Sequence, residues 1–360
     1  MSRNAGATLA ERELVRLCHS GLEVTELRHR VLRSLRRLMP VDAAFVATAD
    51  PQTLLFTGAH AEEPLGAATP LFLDNEFGAD DVNKFAALAT SDTHVASLDA
   101  VTHDDRPASM RYRDILRPLG LGDELRAALV TGSECWGYLC LHRGDHPLGF
   151  TDSEAGLIAR LGPHLAHALR QSVLVHGSAA TAIPQAPGVV LLTDDLSIVA
   201  ITEEAELLLA LIANDRPGSQ ELPVVVYAVA AALKVVEQGT AGPAVMPSIR
   251  VPTTGGSWLR VHASRLRGPP GEQRISIVIE QIDARATVPL LLSAHGLTAR
   301  EAQVATLVLR GAPTTAIADA LHISRRTVQD HLKAVFDKVG VHTRRDLVGE
   351  LLGTARQAPP

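Results

Sequence analysis

Aromatic side chains are scarce in this 360-residue chain: seven Phe, three Tyr and two Trp, 3% of its residues. So small a supply of stacking platforms argues against a protein that runs single-stranded nucleic acid over its surface. Cysteine is scarcer still. Cys18, Cys135 and Cys140 cannot make a full disulfide framework and point to a reducing compartment. Long apolar runs are missing as well; the longest, Val224 to Val236, is too short to span a bilayer and contains Lys234. The N-terminus, MSRNAGATLAERELVRL, has acids and no apolar stretch, so it does not read as a signal peptide. There is no G-x-x-x-x-G-K-S/T phosphate loop. The net charge is −6, so no global field attracts nucleic acid. The expectation is a cytoplasmic protein with no membrane partner.

What is present supports several cores. Hydrophobic residues make up 46% of the chain, and the length suits two to four domains. Charge is unevenly spread. Between Leu297 and Leu352 there are eight Lys/Arg and six Asp/Glu, a balance of +2, which leaves −8 for the remainder. A locally basic end on an acidic body suits duplex binding by that end alone.

Residues 7–39 read as two helices, the second with Leu27, Val31, Leu35 and Leu38 as its apolar stripe. Its arginines lie mostly on the other side and read as a solvated face, with Pro40 stopping the helix. Ala43–Ala49 and Leu54–Gly58 are strand candidates, followed by a polar, helical middle at roughly 74–118. Leu125–Thr131 and Trp136–Arg143 form a hairpin around Gly132-Ser133-Glu134. A long helix at 152–174 opens on Thr151 or Asp152 as cap, with Glu154 in its first turn. This order is that of an α+β domain on an antiparallel sheet. The segment Gly120–Arg170, GLGDELRAALVTGSECWGYLCLHRGDHPLGFTDSEAGLIARLGPHLAHALR, resembles the GAF-like sensor domains of actinobacterial LuxR-type regulators. The resemblance implies a small-molecule sensor or a dimerising scaffold over residues 1–175. After a linker at 176–187, two strands (Val189–Thr193, Ile198–Thr202), helices (Glu203–Ala213, Pro223–Gln238) and three strands (Val245–Val251, Ser257–Leu266, Arg274–Ile282) follow. They are punctuated by TTGG and GPPGE turns. This element order resembles an α+β PAS domain, placed at 188–283. Residues 284–295 read as a second linker.

The C-terminal unit, 296–354, reads as four helices, roughly 298–310, 314–321, 325–339 and 343–353. Thr298 and Glu301 have the T-x-x-E spacing of a capping box, and Gly311 sits where a helix ends left-handed. Ile317, Ala318 and Leu321 form a buried face on the second helix. In the third, Val328, Leu332, Val335 and Val339 form one apolar stripe, with Arg326, Gln329 and Lys333 opposite. The residues Leu297, Thr298, Glu301, Gly311, Ile317, Ala318, Leu321, Ser324, Thr327, Val328, Leu332, Lys338, Gly340 and Arg344, among others, resemble the LuxR (NarL/FixJ-type) helix-turn-helix closely. That family usually opens its second helix with a Ser-x-x-Glu box. Pro313 and Ala316 stand there instead, so a short second helix capped by Thr314 is expected. The resemblance implies a dimer reading two half-sites about 10 bp apart, with the fourth helix and its Leu347, Val348 and Leu351 supporting dimerisation.

An α-helix fits the major groove. Ser324, Arg325 and Thr327, with the helix N-terminus, suit phosphates. Arg326 lies on the same polar face. Gln329, Asp330 and Lys333 stand where the family's base readers sit: Gln suits adenine, Lys guanine, and Asp the cytosine amine. Lys338 and Arg344 are further phosphate candidates, and His331 is equally readable as a half-buried structural histidine. No catalytic, cofactor or metal site is expected. C-x4-C-x-H at Cys135, Cys140 and His142 is not a zinc spacing. In an extended strand Cys140 and His142 share a face and Cys135 points away. His164 and His167, at i, i+3, lack a carboxylate companion. The chain is therefore expected to be a multidomain, DNA-binding transcription regulator, acting as a homodimer on double-stranded DNA with an unidentified small-molecule effector. The competing class is a GAF/PAS-based enzyme or small-molecule-binding scaffold targeted by the helix-turn-helix, which no recognisable pair of nucleophile and base supports.

Overall fold

The computed structural model describes residues 2–144, 148–174, 184, 186–212, 222–239, 246–268 and 273–352. The expected 176–187 linker and GPPGE turn therefore fall largely outside the described residues. Packing divides the chain into two units, Met1–Gln281 and Ile282–Pro360.

The first unit opens with α1 (Ser2–Cys18) and α2 (Val24–Leu35), then β1 (Ala43–Ala49) and β2 (Phe56–Ala61). The expected stripe on α2 holds at Leu27, Val31 and Leu35, which are buried. The helix ends well before Pro40, and Arg28 is buried rather than solvated, its guanidinium donating to Thr48 Oγ1 at 3.1 Å. Next come α3 (Thr69–Gly78), α4 (Phe85–Thr90), the short β3 (Val95–Ser97), α5 (Leu98–Thr102), β4 (Leu121–Thr131), β5 (Glu134–Gly144) and α6 (Asp152–Ser172). The Thr151–Glu154 pair forms a reciprocal capping box on α6. These strands make an antiparallel sheet in the order β2-β1-β5-β4-β3. Both central strands are buried along nearly their whole length, because α6 covers one face and α4, with Phe72 and Leu73 of α3, the other.

One correction concerns Cys135. It joins the same core cluster as Cys140 and does not point away from it. The ladder pairs Leu129 with Gly137 but Val130 with Cys135. Trp136 is thus an extra residue on β5, and such a bulge reverses the alternation of faces on either side of it.

The second sheet is built from β6 (Gly188–Leu192), β7 (Ile198–Ile201), β8 (Ser248–Pro252), β9 (Trp258–Leu266) and β10 (Arg274–Gln281), with α7 (Glu203–Ala210) and α8 (Val224–Glu237) between β7 and β8. Its order is β7-β6-β10-β9-β8, the same as that of the first sheet. Gly188 lies against the α7 backbone: an added Cβ would stand 2.4 Å from Ala205 Cα. The first ten residues of α8, VVVYAVAAAL, are apolar all round, as a stretch buried on nearly every side must be, and the polar Lys234 and Glu237 stand at its less buried end. Ala228 belongs to the core of the first sheet, whereas Val225, Val226, Val229 and Leu233 belong to that of the second. The nearly buried Arg250–Asp50 ion pair (3.0 Å) also joins the two sheets. The two sheets thus lie within one packed unit and share this helix.

Among its described residues the second unit has five helices: α9 (Ala284–Ala294), α10 (Ala299–Leu309), α11 (Thr314–Leu321), α12 (Arg325–Val339) and α13 (Arg344–Leu352). The stretch 284–295, read as linker, is α9. Its interior Pro289 disguises it, because proline normally breaks a helix. Val288 and Leu292 of α9 enter the same core as Val304, Ile317, Val328, Leu332 and Val335. Among the described residues no helix is long and apolar enough to cross a membrane.

Candidate nucleic-acid interface

The geometry of α12 follows from its sequence. Ser324 is extended (φ −70, ψ 153), and its hydroxyl accepts from Thr327 N–H at 3.0 Å. That bond satisfies one of the donors every helix start leaves unpaired. Gly340, at φ 79, ends the helix in the left-handed region that glycine tolerates. Between these caps Val328, Leu332, Val335 and Val339 are buried, so the opposite side must face solvent.

On that side Ser324, Arg325, Arg326, Gln329, Asp330 and Lys333 are exposed and Thr327 is half-buried. They fall within about two and a half turns of the helix N-terminus, a patch roughly 14 Å long. Three cations, one carboxylate, one amide and two hydroxyls there combine point charges, hydrogen-bond donors and acceptors. This mixture suits a surface that must meet both phosphates and base edges. His331 is half-buried, between its two readings.

Lys338 and Arg344 lie apart from the patch. Lys338 Nζ sits 2.6 Å from Glu301 Oε2, tying the end of α12 to the start of α10. Arg344 donates to Ala312 O at 3.0 Å and to Thr314 Oγ1 at 2.8 Å. Both side chains clamp helices together. Thr314 is thus an acceptor for Arg344 and not the expected cap: α11 begins at Thr314, follows Pro313 and has no side-chain cap. Glu301 is doubly used, as Lys338's partner and in the reciprocal capping box with Thr298. Burial alone would raise its carboxyl, but hydrogen bonds from Lys338 and Thr298 outweigh burial and hold it below the ordinary 4.5. The clamp roles were hidden because they join residues 30 or more apart. On α13, Leu347 and Leu351 are buried in the domain's own core. Those two leucines are thus not free to form a dimer face.

Residues 295–350 match the family model described as bacterial regulatory proteins, luxR family, and residues 23–169 match the GAF domain. The response regulator RamR of Streptomyces coelicolor is 43% identical over 68 residues, which cover 19% of this chain and 34% of that protein. The match thus spans about a third of the relative's length. Among solved structures, the phycoerythrobilin-bound GAF domain of a cyanobacterial phytochrome is 18% identical, with a TM-score of 0.34, over 47% of this chain and 96% of that one. Escherichia coli SdiA is 12% identical, with a TM-score of 0.34, over 95% and 96% of the two chains. At such scores these likenesses carry no weight for function. The sequence matches do: the chain carries a GAF domain and, near its C-terminal end, a luxR-family regulatory domain.

Proposed function

We propose that this chain is a cytoplasmic transcription regulator that places α12 in the major groove of duplex DNA as a homodimer, under the control of residues 1–281. The observation that carries the reading is the solvent-facing patch of Ser324, Arg325, Arg326, Gln329, Asp330 and Lys333 on a helix whose other side is buried, inside the segment matching the luxR family. Ser324, Arg325 and Thr327 take phosphates, and Gln329, Asp330 and Lys333 meet base edges. Asp330 repels phosphate and so works by rejecting sequences. The remaining donors of Lys338 and Arg344 add backbone contacts at the rim. The sensor portion is a GAF domain followed by a PAS-like sheet, and a small molecule is the candidate effector.

The test is binding of the full chain to genomic duplex fragments across a salt titration. A preferred site with a steep salt slope supports the reading; absence of any site preference at every salt sinks it. On the preferred site, Lys333→Ala should lose ~1–3 kcal/mol and relax specificity, whereas Arg325→Ala should weaken all sequences alike. An unchanged ranking of sites in Lys333→Ala would remove Lys333 from the base readers.

A further inference from the structure

The face of the first sheet that looks toward α3 and α4 carries a group of fully buried polar side chains. Glu124 on β4 stands directly opposite His142 on β5, and Arg126 opposite Cys140. Residues two apart on a strand project to one side, so all four converge. Cys140 Sγ is 3.1 Å from Glu124 Oε1 and 3.2 Å from His142 Nε2, and the imidazole and carboxylate atoms are 4.0 Å apart. All three side chains are fully buried.

A thiol against an imidazole with a carboxylate behind it has the outline of a nucleophile with its base, so the enzyme reading must be met here. The environment points the other way. Burial first, then Glu124, push the Cys140 thiol well above its ordinary value, and burial pushes His142 down to about 4. A reactive cysteine needs a lowered thiol and access; this one has neither. What remains is a sulfur, an imidazole nitrogen and a carboxylate oxygen aimed at one point.

We propose that Glu124 Oε1, Cys140 Sγ and His142 Nε2 form a structural binding site for a borderline divalent cation of the zinc class. Tetrahedral zinc with bonds of about 2.0–2.3 Å places ligand atoms about 3.3–3.8 Å apart; the two thiol separations fall just below that range and the imidazole–carboxylate separation just above it, so His142 and Glu124 must close toward each other to hold the ion. The sulfur, imidazole and carboxylate set selects zinc-like ions over magnesium or calcium. The carboxylate is already oriented: Arg111 holds its other oxygen, Nε to Oε2 at 2.8 Å, while Oε1 faces the thiol with Arg126 Nε 3.9 Å away. His142 Nδ1 is buried without a hydrogen-bond partner, so the imidazole lacks the tether that usually orients a ligating histidine, and packing alone holds the ring. The nearby guanidiniums are the opposing factor, and each already has a carboxylate: Arg126 with Glu76 at 2.6 Å, Arg111 with Glu124 at 2.7 Å. Binding releases the Cys140 thiol proton to solvent and forms the sulfur–metal bond. The thiolate cancels half of the ion's charge, and no oxidant or reductant is involved. With no exposed edge, the site fills as the sheet folds.

The experiment uses the full chain, first assayed for metal as purified from zinc-supplemented culture, then unfolded, stripped and refolded with Co2+ alone. The expected result is one zinc per chain and, after refolding, one Co2+ with a thiolate-to-cobalt charge-transfer band. Cys140→Ser should abolish the band. The double variant Cys18→Ser with Cys135→Ser, which keeps Cys140 as the sole thiol, should retain it. A folded wild-type chain with neither metal nor band overturns the site, leaving a hydrogen-bonded cluster. A band that survives Cys140→Ser, or is lost in the double variant while the chain still folds, overturns it too. If Cys140→Ser fails to fold, the double variant decides.

Discussion

The described residues of 1–281 form two five-stranded antiparallel sheets in the same strand order, and the two are stabilised in different ways. The second buries Val190, Leu192, Val261, Ile275, Ile277 and Ile279 under α7 and α8. Its strands alternate buried and partly exposed residues, the pattern of a sheet covered on one face. The first is covered on both faces. Beside an aromatic group of Phe45, Phe56, Phe72, Phe85 and Tyr138 it buries Glu76, Glu124, Arg111, Arg126 and His142. Among the described residues of the second sheet and its helices, only Thr253 and Ser276 are buried polar groups. One topology thus holds either an apolar core, which is simple to stabilise, or a charged one, which requires every partner. A buried ion pair contributes little net stability, while breaking it is costly. The charged face is therefore better suited to selecting what sits against it than to holding the sheet together.

The largest effect is expected at Arg126. Its guanidinium lies 3.8 Å above the Phe85 ring and pairs with Glu76. Arg126→Ala strands that carboxylate and should cost about 3–5 kcal/mol in urea unfolding. Arg126→Met combined with Glu76→Leu should cost far less than the sum of the two single changes. An additive result would show that the pair is not coupled. Ile277→Ala in the second sheet leaves a cavity and should cost about 3 kcal/mol, by the same measurement, with little dependence on pH.

Acid separates the two sheets further. Burial pushes Asp81 up, but hydrogen bonds from the Arg111 backbone, Asn75 and Val82, together with the Arg111 charge, hold it below the ordinary 3.8. A depressed carboxyl contributes stability above the unfolded value and loses it as pH falls through the folded one. Asp81→Asn should therefore flatten the loss of stability below about pH 3.8, whereas Ile277→Ala should shift the whole curve without changing its slope. The smallest effect is at a helix end. Thr151→Ala removes the cap of α6 and should cost ~1 kcal/mol, read as a shift in the urea midpoint. A larger loss would mean that α6 holds the first sheet more tightly than its burial suggests.

Much of this was legible in the sequence because it is local. The stripe Val328, Leu332, Val335 and Val339 is buried as its spacing requires, and Thr298, Thr151, Ser324 and Gly340 cap where their chemistry suits. Local rules also misled. Pro289 concealed α9, the bulge at Trp136 put Cys135 on the unexpected face, and Thr314 gave its hydroxyl to Arg344 rather than to a helix cap. At α9 and at Thr314 a contact from a distant segment outweighed a preference worth about 1 kcal/mol or a few.

The sequence by itself determined most of the elements, most of their faces and the polar surface of α12, because helix and strand periods and caps depend on residues a few positions apart. Only the tertiary structure decided who meets whom. Lys338 and Arg344 became clamps, Leu347 and Leu351 entered the core of their own domain, and α8 came to serve two sheets at once. Glu124 came to stand across the ladder from His142, beside Cys140. The sequence shows two of those three groups on one strand face and is silent about the third. Strand pairing joins residues by register, not by proximity along the chain, and that register brought the carboxylate to the thiol and the imidazole.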